Sequence, residues 1–194
     1  MHRLRKHGER AFTLIELLIV MSIIIVLAGL VIATSGYVQE KSKRSRTEAE
    51  IAAMSAALES YKADNGIYPT NQATEALNPS VASSTNYDAA GKFLYGELTG
   101  DRDWDGGTNP NDKSYMTFKP ATLQRGNMSL PVSASNQVTG VRDPFGTLYG
   151  YSTMKATAPN PGTVGGYNPT FDLWSTAGTS GTTPSDQAKW IKNW

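Results

Sequence analysis

The feature that most constrains this chain is an apolar segment near its N-terminus, from Phe12 to Ala33. A helix of about 20 residues spans the hydrocarbon core of a bilayer, so this segment is long enough to cross a membrane. Its one charged residue is Glu16. A carboxylate inside a membrane span costs something like 2.5 kcal/mol or more, so we expect Glu16 to have a partner and a function.

The residues that precede the apolar segment set its expected orientation. Their charged members are Arg3, Arg5, Lys6, Glu9 and Arg10. Because flanks rich in Lys and Arg stay in the cytoplasm, we expect a cytoplasmic N-terminus and an outward-facing remainder. A cleaved secretory signal has a shorter apolar run, of about 7–15 residues, and a small-residue cleavage site at its end, which this segment lacks. A plain single-pass membrane anchor explains every feature of the segment except Glu16.

The start of the apolar segment resembles the N-terminus of type IV pilins and type II secretion pseudopilins. The matching run is Phe12-Thr13-Leu14-Ile15-Glu16-Leu17-Leu18. In that family a short basic leader is cut off before a Phe, and the fifth residue of the mature chain is Glu. The resemblance implies that a prepilin peptidase cuts between Ala11 and Phe12 and methylates the new amino group of Phe12. Gly is usual where Ala11 stands; Ala is also small, so we expect cleavage at a lower rate.

The resemblance also implies a role for Glu16 in assembly. Its carboxylate would pair with the amino group of Phe12 on a neighbouring subunit, which offsets the cost of burial and sets the register between subunits.

Composition excludes several classes of function. The chain has 18 Lys and Arg, 17 Asp and Glu and a formal net charge of +1, which gives no electrostatic argument for nucleic-acid binding. It has no cysteine, and both histidines, His2 and His7, precede the expected cleavage point. A mature chain without His or Cys excludes Ser-His-Asp and Cys-His catalysis and the usual zinc sites.

The helix is expected to continue past the membrane. Residues 34 to 64 contain no proline and one glycine, Gly36, and most of them are good helix formers. Apolar residues at steps of three and four predict a stripe that packs on a sheet; they are Ile51, Met54, Leu58 and Tyr61. Asp64-Asn65-Gly66 predicts the helix end. The charged residues from Lys41 to Glu50 have two interpretations: solvated charges beside the bilayer, or contacts between neighbouring subunits.

Later segments narrow the resemblance to the major pseudopilin of type II secretion. One is A-L-x-x-Y-x-x-D-N-G-x-Y-P-T, from Ala57 to Thr70. The others are D-P-F-G from Asp143, with Phe145 where Trp is usual, D-L-W-S from Asp172, and the I-K-N-W that starts at Ile191. The resemblance is strong over residues 11–70 and the last third of the chain, and weak over residues 71–140.

An acidic loop has the spacing of a calcium-binding loop. Asp101, Asp103 and Asp105 stand at positions one, three and five, Gly106 at six and Asp112 at twelve, close to D-x-[DN]-x-[DN]-G-x5-E. The flanking residues do not form the helix pair of an EF-hand. Two interpretations therefore remain, a calcium loop in another setting and an exposed acidic turn.

The resemblance implies a second calcium loop, between D-L-W-S and the final N-W. Here residues 176–185 carry no carboxylate, so Asp186 is the only acid after Asp172. Hydroxyls and carbonyls alone make a poor calcium site. Asp186 is therefore a weak alternative to the loop at Asp101.

The sequence predicts an α+β, type IV pilin-like fold: one long N-terminal helix packed on a small antiparallel sheet with long loops. We expect a leader at 1–11, a membrane and filament-core helix at 12–34, its amphipathic continuation at 35–64 and a periplasmic domain at 65–194. Strands are predicted at 115–118, after a turn at 143–146, and at 171–175. Short helices are predicted after residue 71 and at 93–98.

The resemblance implies a structural subunit of a pseudopilus that drives protein export through type II secretion. Its partners would be copies of itself, a prepilin peptidase, minor pseudopilins and an inner-membrane assembly platform. It would first be anchored in the inner membrane and then lie in a periplasmic filament. The nearer alternative is a type IV pilin for adhesion, motility or DNA uptake; such a pilin more often has a disulfide near its end. The remote alternative is a membrane-anchored hydrolase that uses carboxylates such as Asp101, Asp103 and Asp105.

Overall fold

A computed structural model describes residues 12–80, 87–158 and 165–194, with only the backbone described at 33–35. The chain divides into two compact units, with the boundary between Ser42 and Lys43. Each unit is described by itself below. The expected leader at 1–11 lies outside the described residues.

The described residues of the first unit, 12–42, include the apolar part of helix α1, whose bounds are Leu14–Asn65. Large apolar side chains are exposed all around this part; Leu14 is 88% exposed and Ile25 71%. Among the described residues, α1 is the one helix that is long and apolar enough to cross a membrane. A helix that is apolar on every side suits a lipid environment or the core of a bundle.

In the second unit, the rest of α1 packs one face onto the domain. Ile51, Met54 and Leu58 are buried, as the apolar stripe predicts. Tyr61 is half-buried, and its hydroxyl donates to Glu97 at 2.8 Å. The helix ends at Asn65, within one residue of the predicted end, where Gly66 takes a left-handed conformation with φ +82°.

Two further helices follow α1 along the chain. Helix α2, Gln72–Ala76, starts with a capping box between Asn71 and Thr74. Helix α3, Asp88–Thr99, ends at Gly100, which is left-handed with φ +73°. The helix predicted at 93–98 therefore begins five residues earlier than expected. Shorter pieces are a 3-10 turn at Pro120–Thr122, α4 at Met154–Thr157 and α5 at Pro184–Gln187.

Within the described residues, the strands form two small antiparallel sheets, where one sheet was predicted. In the first, β1 (Leu123–Arg125) pairs with β2 (Val138–Val141). The second has the order β3-β4-β5, with β3 at Gly150–Ser152, β4 at Asp172–Ser175 and β5 at Ile191–Lys192. The α+β prediction is confirmed, with a long N-terminal helix and short antiparallel strands.

The predicted strand at 115–118 is wrong. The backbone N–H groups of Tyr115 and Met116 both donate to the carbonyl of Leu98, at 2.8 and 3.0 Å, and so bind the end of α3 instead of a strand. Tyr115, Met116 and Phe118 pack against the core. These apolar side chains therefore pack an irregular segment against the core. In the sequence, their spacing looks like the alternation of a strand.

The core of the second unit lies where α1, α3 and the strands meet. Its buried side chains include Met54, Leu58, Leu94, Leu98, Val138, Tyr149, Tyr151 and Leu173. A second cluster surrounds Trp174, which packs with Tyr87 and Trp190. Gly150 lies directly against Trp174, because a Cβ at this position would come within 2.3 Å of the indole ring.

Candidate functional site: the start of α1 and the acidic loop

Glu16 is held by its own helix. Its Oε2 accepts hydrogen bonds from the backbone N–H of Thr13 at 2.9 Å and from the Thr13 hydroxyl at 2.7 Å. In return, the backbone N–H of Glu16 donates to Thr13 Oγ1 at 3.3 Å. This reciprocal arrangement is a capping box, which satisfies donors at the first turn of a helix. Within the single chain, the partner of Glu16 is therefore Thr13.

The sequence contains the signal for this interaction. Thr13-Leu14-Ile15-Glu16 fits the S/T-x-x-E pattern of a capping box just before an apolar run. The partner predicted for Glu16 lies on another subunit, and the local partner, Thr13, was not predicted. Phe12 is 84% exposed, and Ala11 lies outside the described residues.

The acidic loop brings three of its four predicted ligands together. One carboxylate oxygen from each of Asp101, Asp103 and Asp105 lies within 4.8 Å of the others. The loop curls sharply, with left-handed conformations at Trp104 (φ 59°) and Gly106 (φ 97°). The carboxylates that converge are those at the predicted positions one, three and five.

Asp101 is the buried anchor of this loop. Its Oδ1 accepts from the N–H of Asp105 at 3.0 Å, and its Oδ2 accepts from the N–H of Gly106 and the hydroxyl of Tyr95, each at 2.8 Å. A carboxylate has about four lone-pair sites, so these bonds leave capacity for a further ligand. Burial, together with the Asp101 carboxylate, raises the pKa of the Tyr95 hydroxyl.

The surroundings of Asp103 raise its pKa. The largest cause is its side-chain hydrogen bond with Asp101, followed by desolvation, with repulsion from Asp105 and Asp101 adding to it. Calcium takes six to eight oxygen ligands, preferably carboxylates and carbonyls. The donor set of this loop therefore fits part of the shell of a hard divalent cation.

Asp112 does not belong to the group of three carboxylates. Its Oδ1 lies 3.7 Å from Nε of Arg102, which also contacts Glu97 at 3.3 Å. The hydroxyl of Tyr61, in α1, donates to the same Glu97 oxygen. The twelfth loop position thus takes part in a polar network with α1 and not in the predicted ligand set.

Asp186 has a structural role in α5. Its Oδ2 accepts from the hydroxyl of Thr183 at 2.6 Å and from the N–H of Thr183 at 3.3 Å, which forms a capping box. Within the described residues, Asp186 is not part of any group of three acidic side chains close enough to share a metal. The structure accounts for Asp186 as the N3 residue of this capping box, in which Thr183 is the N-cap.

Hydrogen bonds tie the segments around β4 together. The buried Asp143 accepts from the N–H groups of Phe145 and Thr147, each at 2.9 Å, and from the hydroxyls of Thr147 and Ser175. Asp172 accepts from the N–H groups of Tyr167 and Asn168, each at 2.8 Å. Burial raises the pKa of Asp172. These carboxylates hold turns against β4.

Part of the charged segment of α1 is used inside the second unit. Arg46 Nε lies 2.8 Å from a carboxylate oxygen of Glu50, and Glu50 also accepts from the hydroxyl of Tyr149 at 2.7 Å. Arg44 donates to the carbonyl of Lys189 at 2.9 Å. Arg44, Arg46 and Glu50 therefore make contacts within the chain. Neither solvation beside the bilayer nor contact between subunits includes this role.

Two family models match consecutive parts of the chain. The prokaryotic N-terminal methylation motif matches residues 6–32. The type II secretion system protein G family matches residues 36–121. The first match contains Phe12 and Glu16. The second contains the acidic loop and extends farther into the chain than the motif resemblance, which is weak from residue 71.

Several curated relatives are named type II secretion system core protein G. One from Klebsiella michiganensis is 37% identical over 87 residues, 43% of this chain and 61% of the relative. One from Escherichia coli K12 is 43% identical over 70 residues, which are 36% of this chain and 48% of the relative. One from Vibrio cholerae is 35% identical over 94 residues, which are 47% of this chain and 63% of the relative. The chain thus spans between about half and two thirds of the length of these relatives.

A comparison with solved structures found no significant match. The two family matches cover the apolar helix, the amphipathic helix and the acidic loop in the order in which the structure has them. The chain is thus similar to proteins with the N-terminal methylation motif over residues 6–32 and to the type II secretion system protein G family over residues 36–121.

Proposed function

We propose that this chain is a pseudopilus subunit that drives protein export through type II secretion. The observation that carries the proposal is the succession of a prepilin methylation motif and a protein G domain on one chain. The apolar half of α1 supports it, because exposed apolar side chains surround the helix and need either lipid or neighbouring helices. Subunits would be stored in the inner membrane and then polymerise through these helices.

Processing prepares the subunit for assembly. The basic leader stays in the cytoplasm, a prepilin peptidase cuts between Ala11 and Phe12, and the new amino group of Phe12 is methylated. The exposed side chain of Phe12 lies just before the first turn of α1. Mass spectrometry of the mature chain measures both the cut and the methyl group.

Glu16 then changes partner during assembly. In the single chain its Oε2 is held by Thr13, and this bonding leaves further lone pairs on the carboxylate. In a bundle of apolar helices, a buried carboxylate needs an opposite charge. The cationic amino group of Phe12 on a neighbouring subunit supplies that charge and sets the axial register of the filament. Minor pseudopilins and an inner-membrane assembly platform would start the polymer.

The test is complementation of a type II secretion strain that lacks its protein G. We expect Glu16→Gln to insert into the membrane normally but to form no regular filament and export no substrate, because the amide carries no charge. Thr13→Ser keeps the capping hydroxyl and is the matched control, with wild-type filaments expected. Regular filaments and normal export with Glu16→Gln would contradict the charge-pairing role, and surface pili without export would favour the type IV pilin alternative.

We propose further that the loop at Asp101 binds calcium. The support is the convergence of the three carboxylates, each with one oxygen within 4.8 Å of the others. Asp101, Asp103 and Asp105 would be the side-chain ligands. A bound cation would stabilise the curled loop that packs at the end of α3.

A further inference from the structure

The end of α1 contains a reactive sequence that the filament proposal does not use. Asn65-Gly66 is the single Asn–Gly pair in the chain. In such a pair, the backbone nitrogen of the glycine reaches the side-chain carbonyl of the asparagine easily, because glycine has no Cβ to obstruct the approach. Asn65 is exposed to solvent, so water is available at the same position.

The folded structure restrains both reacting groups. The side-chain nitrogen of Asn65 donates to the carbonyl of Tyr61 at 2.9 Å and to the hydroxyl of Tyr115 at 3.0 Å. The N–H of Gly66 donates to the carbonyl of Lys62 at 2.7 Å. The nucleophile is therefore occupied in a helical hydrogen bond, and the amide that would leave is held in place by two acceptors.

Neighbouring contacts keep this end of the helix closed. Lys113 forms an ion pair with Asp64, and the rings of Tyr61 and Tyr115 lie 5.3 Å apart. Both Lys113 and Tyr115 belong to the segment that follows the acidic loop. The restraint on Asn65 therefore depends on docking of that segment against α1.

We propose that Asn65 is a deamidation site whose reactivity is controlled by closure of the helix end. When the end opens, the nitrogen of Gly66 loses its proton and bonds to Cγ of Asn65. The bond between Cγ and Nδ2 breaks, and ammonia leaves. Water then opens the resulting five-membered imide at either carbonyl, which gives aspartate or isoaspartate without any oxidant or reductant.

The product stabilises the open state. A carboxylate at position 65 adds negative charge beside Asp64 at the C-terminus of α1, where the helix dipole already disfavours it. It also lacks the two donors that bind Tyr61 and Tyr115. Isoaspartate in addition places an extra carbon in the backbone. The reaction would mark subunits whose helix end has opened, and it does not depend on the proposed function.

The experiment measures Asn65 deamidation by peptide mass spectrometry in the purified full chain, incubated in detergent at mildly alkaline pH. We expect the folded chain to react at least about tenfold more slowly than the chain in urea, since reaction requires local opening. Tyr115→Phe should react at least about fivefold faster than the folded wild type, as expected for the loss of one or more net hydrogen bonds at the helix end.

Tyr68→Phe is the matched control. The hydroxyl of Tyr68 donates to Glu59 of α1 at 2.8 Å and does not contact Asn65, so we expect the wild-type rate. Equal rates in folded and urea-treated protein would overturn the proposal. It would also fail if Tyr115→Phe reacted like wild type, or if Tyr68→Phe reacted as fast as Tyr115→Phe. Should Tyr115→Phe not fold, the comparison of folded and urea-treated wild type decides.

Discussion

Two carboxylates near the acidic loop affect the folded state in opposite ways. The ion pair with Lys113, followed by a hydrogen bond with Tyr115, lowers the pKa of Asp64, and the same pair raises the pKa of Lys113. The pKa of Asp103 is raised, chiefly by its hydrogen bond with Asp101 and by desolvation. The charged form of Asp64 therefore favours folding, and the charged form of Asp103 opposes it.

The pH dependence of stability should reveal the Asp64 pair. Because the pKa of Asp64 is lower in the folded chain, its contribution is complete above the unfolded value of about 4 and is lost as pH falls through the folded value. We expect Asp64→Asn to be less stable than wild type at neutral pH and equal to it at the acidic end. Urea denaturation across this range measures the difference. Lys113→Gln should reduce this pH dependence but not abolish it, because the hydrogen bond with Tyr115 also lowers the pKa of Asp64; an unchanged dependence in this variant would contradict the assignment.

Gly150 and Gly91 provide a test of close packing. A Cβ at position 150 would lie 2.3 Å from the ring of Trp174, whereas a Cβ at position 91 would find its nearest atoms at 3.7 Å. We expect Gly150→Ala to lower the free energy of unfolding by about 3 kcal/mol. Gly91→Ala, inside α3, should raise it by about 0.5 kcal/mol or leave it unchanged. Urea denaturation of both variants checks this, and equal stabilities would contradict the packing.

At the scale of elements, the acidic loop is where calcium should act. At a calcium concentration about a hundredfold above Kd, binding adds about 2.7 kcal/mol to the free energy of unfolding. We expect calcium to raise Tm and a chelator to reverse the shift. Asp103→Asn should abolish the shift and, without calcium, should be more stable than wild type at neutral pH. That advantage should disappear as pH falls through the raised pKa of Asp103.

Asp186→Asn is the control for the calcium experiment. Asp186 is the N3 residue of the capping box of α5, and the amide oxygen of Asn can still accept from Thr183, so this variant should lose at most about 1 kcal/mol of stability and keep the full calcium shift. A shift that disappears with Asp186→Asn and persists with Asp103→Asn would move the site to the C-terminal loop. A wild-type chain with no calcium shift would remove both proposed sites.

The sequence predicts elements well where local signals determine them. The helix end at Asn65, the strand at Asp172–Ser175 and the clustering of Asp101 with its neighbours follow from spacing within a few residues. Strands β1, β2 and β5 were missed, because each is at most four residues long and exists through pairing with a distant segment. The loop spacing predicted Asp112 as a ligand. The spacing could not show that the side chain of Arg102 pairs with Asp112.

At the scale of the whole molecule, the two units have different sources of stability. In the first unit, the described apolar side chains between Phe12 and Ile32 are exposed, and such a surface is stable in lipid or against other apolar helices. In the second unit, the buried positions of α1 begin at Thr47 and Ile51. Its core is formed by residues that all lie after the boundary at Lys43.

A chain that starts at Lys43 should therefore fold without detergent. We expect it to keep the near-UV circular dichroism of the full chain, because the buried tyrosines and tryptophans are all retained. Cooperative urea unfolding of this shorter chain is the second measurement. A molten or aggregated product would show that the second unit needs the apolar part of α1. Asp143→Ala in the same shorter chain is a reference for partial loss of the β4 packing.

Trp104 stands between two of the acidic side chains, and its surroundings are unlike those of the other three tryptophans. Its indole Nε1 donates to the carbonyl of Lys92 at 3.1 Å, and the ammonium of Lys92 lies 3.9 Å from the ring centroid. Trp174 and Trp190 are buried in a separate cluster, with Trp194 packed against it. Trp104 is therefore an intrinsic fluorescent probe of the acidic loop. We expect tryptophan fluorescence to change when calcium is titrated into the wild-type chain and to stay constant in Trp104→Phe. Such a difference would assign the fluorescence change to the acidic loop.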